Sequence, residues 1–295
     1  MFLTDDLSFK AARERAQGRA SFVLDGAVRP GTVDALKQQF HQVASPELTG
    51  ALFSTDHGAE RDYLAGLVSI VEFLRNPAAA NTPPERAASL ASANADLVIK
   101  YVCVRLLENN TSVTLKAFEV LDALWDALVE AGYTFTEHEA EAAVGSLVVR
   151  SGDPKAVIRE RVRALIRRIP VLYPPSRLLI LLLDHGVGSK NARTRAEALG
   201  DIAHLISKNG MQVCVPSKTL PVLAQSIGDR DAAVRSAALA ALGEAYSLTG
   251  DGFWRAVGQL PPREEALLVE RCKRIAPAAA PAAAAAAPAP SPAPH

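Results

Sequence analysis

The chain is 295 residues long, 49% of them apolar, with 32 Lys plus Arg set against 32 Asp plus Glu. That is enough apolar surface for one or two compact domains or for one continuous stacked core. The zero net charge excludes an overall pull toward nucleic acid or an anionic membrane, so charge-driven binding must come from local patches.

At the N-terminus, Met1 to Lys10 carries acids and only a brief apolar stretch, which is neither a secretory signal nor a transit peptide. Residues 1–33 show weak periodicity and read as an irregular leader. Pro46 to Phe53 and Arg61 to Leu74 form a first candidate helix pair, joined by the polar turn Ser54 to Gly58. Next, Leu97, Tyr101, Val104 and Leu107 make one stripe at helical spacing, and Phe118, Leu121, Trp125 and Leu128 make a matching one. The short link Glu108 to Thr111 makes these two helices antiparallel. The alternation continues with Ala140 to Val149 and Val157 to Ile169, Leu178 to Leu183 and Ala196 to Ile206, then Leu220 to Ile227 and Val234 to Tyr246. Gly252 to Val257 with Arg263 to Ile275 is a shorter last pair that could cap the stack. From Ala276 onward Pro, Ala and Ser take over. Alternating prolines forbid a long helix there, so 276–295 reads as a disordered tail or extended linker.

The expected fold is therefore all-α: a HEAT-repeat solenoid of about six antiparallel pairs over 34–275, the outer pairs atypical because each has a single neighbour. Junctions support it. Asn110 to Lys116, Asp153 to Arg159, Ser189 to Arg195 and Asp229 to Arg235 each place a polar residue at a helix exit and a cation inside the next helix. Val157 with Arg159 and Val234 with Arg235 are the clearest cases. The four cations are spaced 43, 36 and 40 residues apart, within or near the period of about 40 to 47 of HEAT and armadillo arrays. A short Asp or Asn there can accept from free amides at a helix start, and a cation can reach the acid of the neighbouring repeat. Such a ladder would hold the stack in register.

Chemistry is harder to find. His41, His57, His138, His185, His204 and His295 form no H-E-x-x-H or metal-spaced cluster, and Gly186 to Gly188 lacks the rest of a phosphate loop. Cys103, Cys214 and Cys272 stand far apart with no C-x-x-C pair. That argues against a disulfide framework or zinc site and fits a reducing compartment, the three reading as small buried hydrophobes. Glu139 and Glu141 read as a solvated helix face. Trp125 sits on its helix's apolar stripe and reads as core, whereas Trp254, beside Phe253, reads as a ring sealing the end of the stack. The longest aliphatic run, Leu178 to Leu183, has six residues, far short of the roughly 20 of a membrane span. The expectation is a soluble, intracellular, non-enzymatic chain with no cofactor and no metal.

Repeat arrays bind through surfaces, above all the loops along one edge. The turns inside each pair run Phe53 to Gly58, Asn109 to Val113, Ser151 to Lys155, Gly188 to Arg193 and Gly228 to Asp231. Lys155, Lys190 and Arg230 lie near three apices and, with Arg193, would form a positive ridge suited to an acidic protein partner.

Several segments then carry a family likeness: LTDDLSFK (3–10), NNTSVTLK (109–116), GYTFTEHE (132–139), GDPKAVIR (152–159), LYPPS (172–176), GSKNARTRAE (188–197), VCVP (213–216), IGDRDAAVRSAA (227–238) and VGQLPPREEALLVERCKR (257–274). Over residues 3–274 the chain resembles the TOG domains of the ch-TOG, Mini spindles and MOR microtubule polymerases, the fourth TOG domain most. The resemblance implies a flat paddle of six HEAT pairs whose intra-repeat turns bind the αβ-tubulin heterodimer. It implies a monomeric domain of a multi-TOG protein, acting at microtubules, spindle and centrosome in the cytoplasm. It casts Phe53 and His57 as first-turn contacts, Asn110, Thr111, Ser112 and Val113 as second-turn contacts, Lys155 as the third-turn cation, Lys190, Asn191 and Arg193 as the fourth turn and Arg230 as the fifth; the alternative for Phe53 is a core residue of the preceding helix. The strongest tubulin binders of the family present a Trp in the first turn, where this chain reads Phe53-Ser54-Thr55-Asp56-His57. A structural spacer, or a HEAT scaffold for another protein, is the alternative.

Overall fold

Periodicity at 3.6 residues becomes helix along most of the chain. The computed structural model describes residues 1–22, 28–29, 31–250 and 252–275. The proline-rich tail and the segment 23–27 lie outside the described residues. Two helices lead in, α1 (Leu7–Gln17) and α2 (Thr32–Val43). Six antiparallel pairs follow: α3 (Pro46–Leu52) with α4 (Ala59–Arg75), α5 (Pro84–Arg105) with α6 (Thr111–Glu130), α7 (Glu137–Ser151) with α8 (Ala156–Arg168), α9 (Pro175–Leu182) with α10 (Ala192–Asn209), α11 (Pro216–Gln225) with α12 (Ala232–Thr249), and α13 (Gly252–Val257) with α14 (Pro262–Lys273).

Prolines open many of these helices. Pro46, Pro84, Pro175, Pro216 and Pro262 each sit at a first helical position, where the missing N–H costs nothing and the fixed φ already suits the helix. The first helices of the pairs form one layer, with α5 packed on α7, α7 on α9 and α11 on α13. The second helices form the other, a row running from α4 through α6, α8, α10 and α12 to α14. The stripe residues Leu97, Tyr101, Val104, Phe118, Leu121, Trp125 and Leu128 are buried between the layers, with Leu107 half-buried. Helix α5 is long and apolar enough to cross a membrane, but 83% of that stretch is buried against its neighbours, as befits a core helix. At the far end Tyr246, Phe253 and Trp254 stack edge to face and close the stack.

Two expectations are corrected. Residues 7–17, inside the stretch expected to be irregular, form α1. That helix buries Lys10 and Arg13 rather than an apolar stripe, so hydrophobic periodicity cannot detect it. Lys10 donates to Glu139 Oε1 at 2.6 Å and also bonds the Tyr133 hydroxyl, while Arg13 forms a two-pronged pair with Asp96 at 2.7 and 2.8 Å. Glu139 is accordingly 1% exposed and not part of a solvated face. It also closes a capping box with Thr136 at the start of α7. Val157 and Arg159 lie inside α8, as the junction spacing predicts; Val157 faces solvent and its neighbour Ile158 is buried, matching Val113, Thr194 and Val234 at the third position of their helices.

Candidate protein-binding edge

In each pair the chain leaves the first helix, turns and enters the second, so all these turns emerge along one edge. The same few bonds build turns three, four and five. The side chain of Arg159 donates through Nη1 to the carbonyls of Asp153 and Pro154, both at 2.9 Å. Arg195 does so to Ser189 and Lys190 at 2.9 and 3.1 Å, and Arg235 to Asp229 and Arg230 at 2.9 Å each. One guanidinium thus clamps two turn carbonyls, which would otherwise seek water, and fixes the arc between them. In turn two the equivalent residue is Thr114, whose hydroxyl donates to the Glu108 and Asn110 carbonyls. Lys116 instead pairs with Glu119. The clamp of that junction therefore sits two residues earlier than the sequence spacing predicts.

The capping residues also differ in place from the expectation. Asn110, Asn191 and Asp231 are the N-caps, with side-chain oxygens that accept from the amides two or three positions on. Asp153 and Asp229 stand two residues earlier and accept from the amides of Lys155 and Asp231. Asp229 also binds across repeats, where Arg195 of the preceding repeat grips it at 2.8 and 3.0 Å. That grip, followed by the Asp231 amide, holds the Asp229 carboxyl below its ordinary pKa. The expected ladder from cation to neighbouring acid is therefore present here. Arg159 and Arg163 reach across to Glu197 instead, because turn four has Ser189 where an acid would be needed.

Neighbouring turns are tied to each other as well. Asn110 Nδ2 donates to Glu60 at 2.8 Å and Lys155 Nζ to Thr111 Oγ1 at 2.5 Å. Between turns three and four Gly152 comes close to the side chains of the next repeat: a Cβ there would lie 2.3 Å from Thr194 Oγ1 and 2.5 Å from Asn191 Nδ2, so a larger residue would have to displace both.

The predicted contact residues divide on this geometry. His57, Ser112, Lys155, Lys190, Asn191, Arg193 and Arg230 are exposed on the edge, with Asn110 and Thr111 half-buried. Phe53 and Val113 are not on the surface. Phe53, 5% exposed, is wedged between the rings of Phe40 and Tyr101, both centroids 5.3 Å away. Val113 is fully buried. Neither can touch a partner. Among the described residues Lys190, Arg193 and Arg230 enter no ion pair and their side chains donate no hydrogen bond. Their charges are free for a ligand. Glu60 and the Gly258–Pro261 turn also lie on this edge and are absent from the expected contacts; no charge or aromatic marks the latter. Among the described residues no cluster of His, Cys, Asp and Glu is placed to hold a metal.

No protein-family model matches the chain. Among curated proteins it is similar to Protein mini spindles of Drosophila melanogaster, 33% identical over 181 residues, 61% of this chain and 9% of that protein. It is also similar to Zygote defective protein 9 of Caenorhabditis elegans, 31% identical over 234 residues, 78% of this chain and 15% of that protein. The chain thus spans a small part of the length of these relatives. Among solved structures, a TOG domain of C. elegans Zyg9 superposes with a TM-score of 0.80 at 25% identity, covering 93% of this chain and 98% of that one. A structure concerned with TOG–tubulin binding specificity in microtubule dynamics and mitotic spindle formation gives 0.79 at 25% identity, covering 92% and 99%.

Proposed function

We propose that this chain, a TOG domain of the family that includes the mini spindles, MOR1 and Zygote defective 9 proteins, binds the αβ-tubulin heterodimer through its turn edge. The observation that carries the reading is the row of free cations. Lys190, Arg193 and Arg230 stand on clamped, mutually braced turns and, among the described residues, pair with no acid. A rigid backbone frame spares the cost of ordering the loops on binding, and the cations it carries steer an acidic partner into register. Lys155 contributes charge to the same edge while bonded to Thr111. The activity is binding without catalysis. Within a longer protein the domain adds one tubulin-holding unit to microtubule growth at spindle and centrosome in the cytoplasm.

The test is size-exclusion chromatography with αβ-tubulin. Wild type should co-elute with it and the Lys190→Glu, Arg230→Glu double variant should not, with wild-type complex receding as salt rises from low to physiological strength. Identical elution of the two proteins would remove the reading. One observation favours a second reading, a paddle that spaces its neighbours without holding free tubulin: Phe53 is locked in the core, so turn one presents no aromatic anchor. That second reading predicts no co-elution for either protein.

A further inference from the structure

An interface needs a desolvated centre as well as charge, because rim charges set association rate and register more than affinity. Turn one supplies none. Ser54 to Gly58 are small or polar, and Phe53 faces inward. A cleft with apolar walls lies at the other end of this edge, between turn five and the Gly258–Pro261 turn. Two clefts of nearly equal volume, about 280 and 290 Å³, differ in setting. The one lined by Phe22 and Lys100 sits under α1, away from the edge. The one at 290 Å³ is walled by Pro221 and Ala224 of α11, Val257 of α13, Leu260 and Pro261. Gln225 and Glu264 stand at it too, and Gly228, also in the wall, is two residues from the free cation Arg230.

We infer that the anchor of this interface is inverted: the partner inserts an apolar side chain into the cleft between turns five and six, with a carboxylate beside it reaching Arg230. The inference rests on the reading that the partner docks along the turn edge. The five apolar wall residues recognise the side chain, with Gln225, Gln259 and Glu264 as the polar groups beside it. Arg230 offers a cation to an acid beside the inserted side chain, while Glu264, whose Oε1 lies 3.4 Å from where a Cβ on Gly228 would stand, disfavours an acid inside the cleft itself. The cleft continues the row of free cations, so one extended segment of partner meets charge and anchor together.

The experiment is a titration of αβ-tubulin against the full chain and its variants at several salt concentrations, with folding checked by circular dichroism. Leu260→Asp places a polar group in a half-buried wall, and Gln225→Trp fills the mouth from an exposed helix position. Both should weaken binding about tenfold or more, and Gln225→Trp, which adds no charge, should leave the salt dependence of the remaining affinity unchanged. The Lys190→Glu, Arg230→Glu variant should weaken binding and flatten its salt dependence. If both cleft variants bind like wild type while the charge variant weakens, the inverted anchor is overturned and the turn-edge reading stands. Wild-type affinity in the charge variant, or no binding by the wild type, removes the edge reading and this inference with it. Gln225→Trp decides the matter should Leu260→Asp unfold.

Discussion

Asp229 illustrates how one side chain can serve two levels of structure. Its carboxylate orders turn five through the Asp231 amide and joins that turn to repeat four through Arg195. The pair is two-pronged and four-fifths shielded or more on each side, better placed than an ordinary surface ion pair. Asp229→Ala should therefore lower stability by about 1 kcal/mol, read in urea denaturation, and Asp231→Ala by a similar amount through loss of the cap. Because the Asp229 pKa is depressed in the fold, its share is complete above the unfolded aspartate value near 4 and is lost as pH falls through the lower folded value. An Asp229→Ala protein as stable as wild type at pH 7 would show that the bridge is decorative. At this scale sequence legibility is uneven. The residue types at the junctions are readable, but which of two neighbouring acids caps and which bridges depends on a two-residue offset that propensity does not resolve. Glu139 reads wrongly as solvated because its partner Lys10 is 129 positions away.

Between elements, the row of second helices is held by apolar contact and by a band of arginines on α8. Arg161 and Arg168 reach Asp122 on α6, Arg168 also pairs with Asp126, and Arg163 and Arg167 reach Glu197 and Asp201 on α10. Asp201 is the costly member. Burial pushes its carboxyl up to about 7 in spite of Arg167. A raised acid binds a proton in the fold that the unfolded chain has released, so its contribution worsens as pH climbs from about 4 to about 7 and is flat beyond. Asp201→Asn should remove this dependence. Relative to wild type, the variant should gain stability between pH 5 and pH 8, by more than about 1 kcal/mol, in denaturation at the two pH values. Parallel curves would mean that Arg167 neutralises the site fully. The helices themselves are legible, since amphipathic stripes report directly on a two-layer core. Pairings on α8 are not, because a run of arginines reads the same whether it faces water or two acidic neighbours.

Across the whole molecule, the leading helix is fastened by charge. Lys10 and Arg13 cross from α1 to Glu139 on α7 and Asp96 on α5, so the N-terminal end of the chain is tied to the second and third pairs at once. Burial raises the Glu139 pKa, and Lys10 is the largest influence opposing it. Removing one partner strands the other, whereas replacing both need cost little. Lys10→Met should destabilise the chain by about 3 kcal/mol at pH 8. The loss should shrink toward pH 5, because without Lys10 the folded protein keeps a proton on Glu139 that the unfolded chain gives up. Lys10→Met with Glu139→Gln should recover more than half of the loss, since glutamine can still accept from Thr136 and Tyr133 with no charge to strand. Tyr133, bonded to both partners, gives an independent check: Tyr133→Phe should cost about 1 to 3 kcal/mol in the wild-type background and less in the double variant. A double variant no more stable than Lys10→Met would mean that this pair contributes shape rather than charge, leaving Arg13 with Asp96 as the charge pair that fastens α1.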